Sequence, residues 1–389
     1  MQFKDIIGQT AVKRRLIQSV VEGRVPHAQL LSGPSGVGKL QLAIAYAQYL
    51  NCPNRTEQDS CGVCPTCLQY QHLQHPDLHF VFPIVKDKDK KYDVCDDVVD
   101  KFRNLVLSDG YFDLDDWYKA LEVETKQGMI YEKESSEILR KLSLKAFGSG
   151  YKVMIIWQPE KMNDTCANKL LKLLEEPPAQ TVFLLVSEHP DQLLATILSR
   201  TQQISVPRLP ESEIAQALQE RLMVSPEAAA DYAHIANGSY LVAKRLTEAK
   251  EETTKEFDAF VALMRNAYTV GEIKNSQKKF EALQYLRKWS MGMADAKVGR
   301  ERQKRFLQYA QRQVRENYIY NLQHPEMNYQ TSAERAFSTR FAPFINNANV
   351  EAIMNELAKA ERQIEQNGNA KIIFFDLCLQ MIVLVKNRG

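Results

Sequence analysis

Residues 33 to 40 read Gly33-Pro34-Ser35-Gly36-Val37-Gly38-Lys39-Leu40 and meet the G-x-x-x-x-G-K-[ST] pattern at every fixed position except the last. A glycine turn of this kind, set between a strand and a helix, aims backbone N–H groups and the positive end of the helix dipole at a phosphate. Lys39 would add a point charge, so Gly33, Gly36, Gly38 and Lys39 are the candidate contacts for ATP or ADP. The hydroxyl that should hold magnesium is missing, because Leu40 stands in its place. Further on, the apolar run Val153-Met154-Ile155-Ile156 ends in Trp157-Gln158, where a working ATPase of this kind carries two acids. None of Leu40, Trp157 and Gln158 suits a hard cation. No magnesium site and no hydrolysis are therefore expected, although the loop keeps the means to hold a nucleotide.

The second chemical signal is Cys52, Cys61, Cys64 and Cys67, a C-x8-C-x2-C-x2-C cluster in a polar stretch with Pro53, Gly62 and Pro65. Four thiolates so close in sequence can surround a tetrahedral zinc ion, and each x2 spacing lets one turn present two sulfurs. Free surface thiols or a redox pair are the other readings of such a cluster. Four ligands would close the shell and make the zinc structural. His72, His75 and His79 follow closely but are not needed as ligands, and His75-Pro76-Asp77 reads as a turn. Cys95, Cys166 and Cys378 are isolated and read as packing thiols.

The elements that must position these groups follow from the apolar pattern. Gln29 to Ser32, Leu78 to Phe82, Val153 to Trp157, Val182 to Val186 and Gln203 to Val206 read as short strands separated by helical segments. Such alternation predicts an α/β fold with a parallel five-stranded sheet covered on both faces. Lys39 to Leu50 carries Leu40, Ala43, Ile44 and Ala47 at helical spacing, and a later helix places Cys166, Leu170, Leu171 and Leu174 on one face before Pro177-Pro178 stops it. Residues 208–246 read as a small helical lid, with helices at Ser212 to Leu222 and Pro226 to Ala236 and a stop at Asn237-Gly238. Residues 247–389 read as helical throughout, and the last helix, Lys371 to Leu384, is apolar on nearly every side. Such a helix must be buried in its own domain or against another chain. Residues 83–130 begin with the charge run Lys86 to Lys91 and contain Tyr111, Phe112, Trp117 and Tyr118; they suggest a small helical elaboration, to which the sequence assigns no role.

Composition narrows the classes. The 389 residues are 44% hydrophobic and 25% charged, as in a soluble protein of two or three domains. With 50 basic against 48 acidic residues the net charge is +2, which excludes the strong basic bias of a protein that grips nucleic acid alone. The amino terminus has no charged-then-apolar leader, and no run of 18 apolar residues occurs, so a cytoplasmic protein without membrane contact is expected.

Several stretches resemble the clamp-loader branch of the AAA+ ATPases, which serve bacterial DNA polymerase III. They are Phe3 to Gln9 (FKDIIGQ), Pro26 to Pro34, the cysteine cluster, and Ala167 to Pro178 (ANKLLKLLEEPP). Leu194-Ala195-Thr196-Ile197-Leu198-Ser199-Arg200-Thr201 is similar to the family's TIxSRC element, with Thr201 in place of the cysteine. The likeness is strong over about residues 1–245 and weak beyond. It implies a RecA-like AAA+ domain over 1–207 with a zinc module at 52–67 and a family-atypical insert at about 83–130. A lid over 208–246 and a helical collar over 247–389, which holds five subunits in a ring, would follow. In relatives the arginine of that element reaches the ATP of the adjacent subunit, which makes Arg200 the candidate catalytic residue in trans. An arginine at a helix end also serves simply to neutralise that end. Ser187-Glu188 and Leu241 depart from the family's nucleotide-sensing positions.

The resemblance implies a non-hydrolysing subunit that acts beside gamma/tau- and delta-type subunits to load a sliding clamp onto primer-template DNA. An ATP-hydrolysing subunit of the same loader and a zinc-dependent nucleic-acid-binding module are the alternatives. The basic run Arg300 to Arg315 is a DNA-facing patch on one reading and a solvated helix face on the other.

Overall fold

The structure, a computed structural model of the chain, describes residues 1–386 apart from 87–91, 109, 124–127, 144–145, 148–149, 249, 296–297 and 324–326. Most of the charge run Lys86 to Lys91 thus lies outside the described residues. The chain divides into two compact units, Met1–Lys244 and Arg245–Gly389.

The first unit is built on the five expected strands, β1 (Ala28–Ser32), β2 (Leu78–Val81), β3 (Lys152–Trp157), β4 (Thr181–Ser187) and β5 (Gln202–Ser205). They lie parallel in the order β2-β3-β4-β1-β5. Central β3 and β4 are buried at every residue, as a sheet covered on both faces requires, whereas edge strand β5 buries only Ile204. Its helices are α1 (Thr10–Val21), α2 (Lys39–Asn51), α3 (Pro65–Gln71), α4 (Val99–Ser108), α5 (Leu114–Ala120), α6 (Glu132–Ser143), α7 (Asp164–Glu175), α8 (Ala195–Leu198), α9 (Glu211–Leu222), α10 (Pro226–Ile235) and α11 (Tyr240–Glu248).

Helix α2 is the centre of the unit. It rests on β1, β3 and β4, and its outer side is covered by α1, α3 and the turn Phe3–Asp5, so every residue from Lys39 to Leu50 is buried. Helix α7 starts on Asn163, whose side chain accepts the Cys166 N–H at 2.9 Å. It buries Cys166, Ala167, Leu170, Leu173 and Leu174. Leu173 thus takes the inward place expected for Leu171, which is only half-buried. Helices α9, α10 and α11 share a small core of their own, with Leu209, Ile214, Leu218, Ala229, Ala233 and Tyr240.

The second unit is helical throughout its described residues: α12 (Lys250–Glu272), α13 (Ser276–Met293), α14 (Arg300–Asn321), α15 (Ser332–Phe341), α16 (Val350–Glu365) and α17 (Ala370–Leu384). Phe260, Leu286, Phe306, Ile353, Phe374 and Met381 lie in its core. Arg302, Lys304, Arg312 and Arg315 of the basic run pair with Glu256, Glu365, Glu334 and Glu316. That use of charge within the unit fits a structural helix face. Helix α17 turns Ile373, Phe374, Leu377 and Met381 inward and leaves Ile372, Phe375, Leu379 and Val383 exposed. No helix among the described residues is long and apolar enough to cross a membrane.

Candidate functional site: a phosphate loop, a cysteine cluster and a surface arginine

Parallel register brings the carboxyl ends of the strands together. Ser32 lies beside Ser187 and Ser205, and Trp157 beside Val186, so the loops leaving β1, β3 and β4 form one edge. The phosphate loop leaves β1 and enters α2 with Gly36 at φ +75° and Gly38 at φ +92°, left-handed values that favour glycine. Gly38 is the residue before the first turn of α2, where a helix directs its free N–H groups.

Lys39 is only 5% exposed. Its Nζ donates to Pro34 O at 2.5 Å and lies 3.8 Å from Glu188 Oε1. Burial lowers its pKa to about 8, partly offset by the charges of Glu188 and Glu160. Glu160 Oε1 in turn accepts the backbone N–H groups of Glu188 (2.9 Å) and His189 (3.1 Å), which fixes the turn that carries Glu188. The lysine that would meet a phosphate is thus balanced from within the chain. Sequence reasoning passed over Glu160, although an acid three residues beyond the end of β3 was a readable signal.

The positions expected to hold magnesium are filled otherwise. Leu40 is buried in the core, as are Trp157 and Gln158. The Trp157 ring packs against Phe102 of α4 (centroids 5.7 Å apart) and Phe112 (5.2 Å). Gln158 adopts φ +58°, and its N–H donates to Val186 O at 2.9 Å. Leu241, at the expected sensing position, is buried at the start of α11. Tyr240 N there donates to Gly36 O at 3.0 Å. Phe102 and Phe112, which pack on Trp157, belong to the insert, so the insert contributes directly to this site, a role the sequence did not reveal.

The four cysteines converge. The Sγ atoms of Cys52, Cys61, Cys64 and Cys67 all lie within 4.8 Å of one another, with Cys61 and Cys67 at 3.9 Å. A tetrahedral ion with sulfurs at about 2.3 Å would set them about 3.8 Å apart, so the donor set fits zinc. Backbone N–H groups support the sulfurs: Cys61 N to Cys52 Sγ (3.3 Å), Cys64 N to Cys61 Sγ (3.4 Å) and Cys67 N to Cys64 Sγ (3.4 Å). Such N–H donors favour thiolates. His75 instead stacks on Tyr70 at 4.6 Å and accepts Asp77 N, and burial pulls the pKa of His79 down to about 4. Cys95, Cys166 and Cys378 are buried apart from the cluster.

Arg200 lies just beyond α8, its side chain 33% exposed. Its Nη1 donates to Thr196 O at 2.9 Å, so it does serve the end of α8, while Nη2 pairs with Glu175 of α7. None of these partners belongs to the chain's own phosphate loop. Thr201 turns inward and donates to Ile197 O at 3.1 Å.

A parallel α/β sheet with a phosphate loop at its carboxyl edge and a four-cysteine module on the following turn defines a protein of the phosphate-loop class. Residues 8–210 match the family described as DNA polymerase III, delta subunit, and the chain belongs to that family. It is 31% identical over 236 residues to DNA polymerase III subunit delta' of Pseudomonas aeruginosa, covering 60% of each chain. To subunit delta' of Bacillus subtilis it is 30% identical over 229 residues, 59% of this chain and 56% of that one. To subunit tau/gamma of Haemophilus influenzae it is 27% identical over 251 residues, 63% of this chain and 30% of that one. The chain thus spans well under two thirds of the length of these relatives.

Proposed function

We propose that this chain is a non-hydrolysing subunit of the DNA polymerase III clamp loader, of the delta-prime kind, which assists ATP-driven loading of a sliding clamp onto primed DNA. The observation that carries this reading is the packing of Trp157: the side chain standing where a metal-holding acid is needed is buried against Phe102 and Phe112. Leu40 in the core and Glu188 beside Lys39 support it. A hydrolytic site needs a bound cation to offset the charge that develops on the transferring phosphoryl group, and this loop has no hydroxyl at position 40 to help hold one.

The chain would act on its neighbour. Arg200 is partly exposed on the turn after α8, and on this reading it leaves Glu175 to stabilise the phosphoryl charge at the adjacent subunit's ATP. The domains would be the AAA+ body over 1–207, the lid over 208–246 and a collar over 247–389. The open apolar face of α17 supports the collar, since Ile372 and Val383 are 67% and 65% exposed on an otherwise packed helix. Gamma/tau- and delta-type subunits in a five-membered ring are the partners this implies. Zinc held by Cys52, Cys61, Cys64 and Cys67 would be structural, a cross-link in a segment with little core of its own.

The test is the clamp- and DNA-stimulated ATPase rate of the reconstituted loader with this chain or its Arg200→Ala form, once equal assembly is established. The neighbour's site should lose about 100-fold or more of its rate. An unchanged rate sinks the arginine mechanism. Similarity to a tau/gamma subunit keeps an ATP-hydrolysing role as the second reading, which turnover by the isolated chain would establish.

A further inference from the structure

Residues 110–112 of the insert reach both halves of the degenerate nucleotide site. Gly110, at φ +77°, turns the chain so that Tyr111 and Phe112 face different surroundings. Phe112 packs on Trp157. Tyr111, 3% exposed, runs to the phosphate loop. Its hydroxyl accepts the Ile7 backbone N–H at 3.1 Å, and it stands so close to α2 that a Cβ on Gly38 would meet it at 3.1 Å. The ring also meets Tyr240 of α11 edge-on, with centroids 4.9 Å apart, and Arg221 of α9 lies 6.0 Å from its centre.

A nucleotide bound by this loop would put its phosphates at the N-terminus of α2 and its base within a nucleoside's length of that point. The side bounded by the amino-terminal segment, α2 and α11 is filled by the Tyr111 ring. That ring is flat and aromatic, and its oxygen takes a backbone N–H much as a purine ring nitrogen would. Beside that ring, Tyr240 N donates to Gly36 O at 3.0 Å and holds α11 against the loop.

We propose that the insert is an internal plug: Tyr111 occupies the place of a nucleotide base and closes the chain's own phosphate loop to ATP and ADP. The plug deepens the non-hydrolysing reading by giving the insert a task, and it is independent of Arg200. Trp157 and Tyr111 then belong to one device, in which the insert fills the metal position through Phe112 and the base position through the neighbouring residue.

The test is equilibrium dialysis of the full chain against ATP, with and without magnesium, for wild type and for Tyr111→Ala, Tyr111→Leu and Tyr111→Phe. Wild type and the Phe form, which keeps the ring, should take up no ATP up to about 1 mM. The Ala form should bind at least about tenfold more tightly than wild type, and the Leu form should fall between. Thermal midpoints show which variants are folded, and the Leu form keeps an apolar side chain under α11 should the Ala form not fold. Wild-type binding in the micromolar range overturns the plug. So does a folded Ala or Leu form that gains no binding, or a Phe form that binds as well as the Ala form. Because only the isolated chain and its own loop are involved, any of these results leaves the trans role of Arg200 untouched.

Discussion

Removing the zinc proposed for the cysteine cluster should loosen more than the cluster. Residues 52–67 are tied to the amino terminus and to α2 through groups held in place by the cysteine turns. Asp59 accepts the N–H groups of Phe3 (3.1 Å) and Lys4 (2.9 Å), and Gln2 Nε2 donates to Ser60 O at 2.5 Å. Gln48 Nε2 donates to Ser60 Oγ at 2.9 Å, and Tyr49 hydroxyl to Thr56 O at 2.8 Å. At about 1 kcal/mol for each such bond, with those near solvent discounted, the coupling amounts to about 3–5 kcal/mol. The rest of the first unit keeps its own core, so the loss should lower its melting midpoint without abolishing folding. For a unit of this size about 2–4 °C is expected per kcal/mol, or roughly 10 °C in all. The assay is elemental analysis of protein purified under reducing conditions, then calorimetry before and after a strong zinc chelator and after zinc is restored. Cys67→Ser should match the chelated protein. Protein that carries no zinc, or a midpoint indifferent to chelator, would refute the reasoning.

Two further predictions follow from the same structure. Lys39 has its pKa lowered from 10.5 to about 8 by burial, so between those values the unfolded chain binds more protons than the folded one, and stability attributable to Lys39 rises with pH across that window. Urea titrations should show wild type gaining on the order of 2 kcal/mol relative to Lys39→Met between about pH 7.5 and 9.5, whereas a constant gap would contradict it. Replacing exposed Ile372 and Val383 of α17 with Asp should change the isolated chain's stability by less than about 1 kcal/mol while abolishing co-elution with the gamma/tau- and delta-type subunits proposed as its partners. Intact assembly would place the subunit contact elsewhere.

The sheet was legible because β2, β3 and β4 and most of β1 are short apolar runs bounded by turn residues, which report burial without reference to any distant residue, whereas edge strand β5 offered only Ile204. The phosphate loop and the cysteine cluster were legible for a related reason: their chemistry depends on spacing within fewer than twenty residues. Leu171 and Leu173 show the limit of the method. Both fit an apolar stripe on α7, and which one turns inward depends on the angle at which the helix meets its neighbours. The same limit hid the pairing of Arg200 with Glu175, since nothing local links the end of α8 to the end of α7.

The insert was illegible for a deeper reason. Its aromatic residues announced burial, because Phe112 and Trp117 could not be left in water, and burial says nothing about the partner. Phe82, Phe102 and Trp117 pack as one group, with centroids 4.2 to 5.4 Å apart, and Trp117 Nε1 donates to Pro83 O at 2.7 Å. That group anchors the insert beside β2 and so fixes where Phe112 and Tyr111 can reach. Sequence shows Trp157 as a lost acid and Tyr111 as an unassigned aromatic. In three dimensions the first forms one wall of the pocket that receives the insert, and the second is what the insert delivers to the loop. A tryptophan at position 157 is thus a packing requirement of the insert as much as a missing ligand, and restoring an acid there would expose an aromatic group with no other place to go.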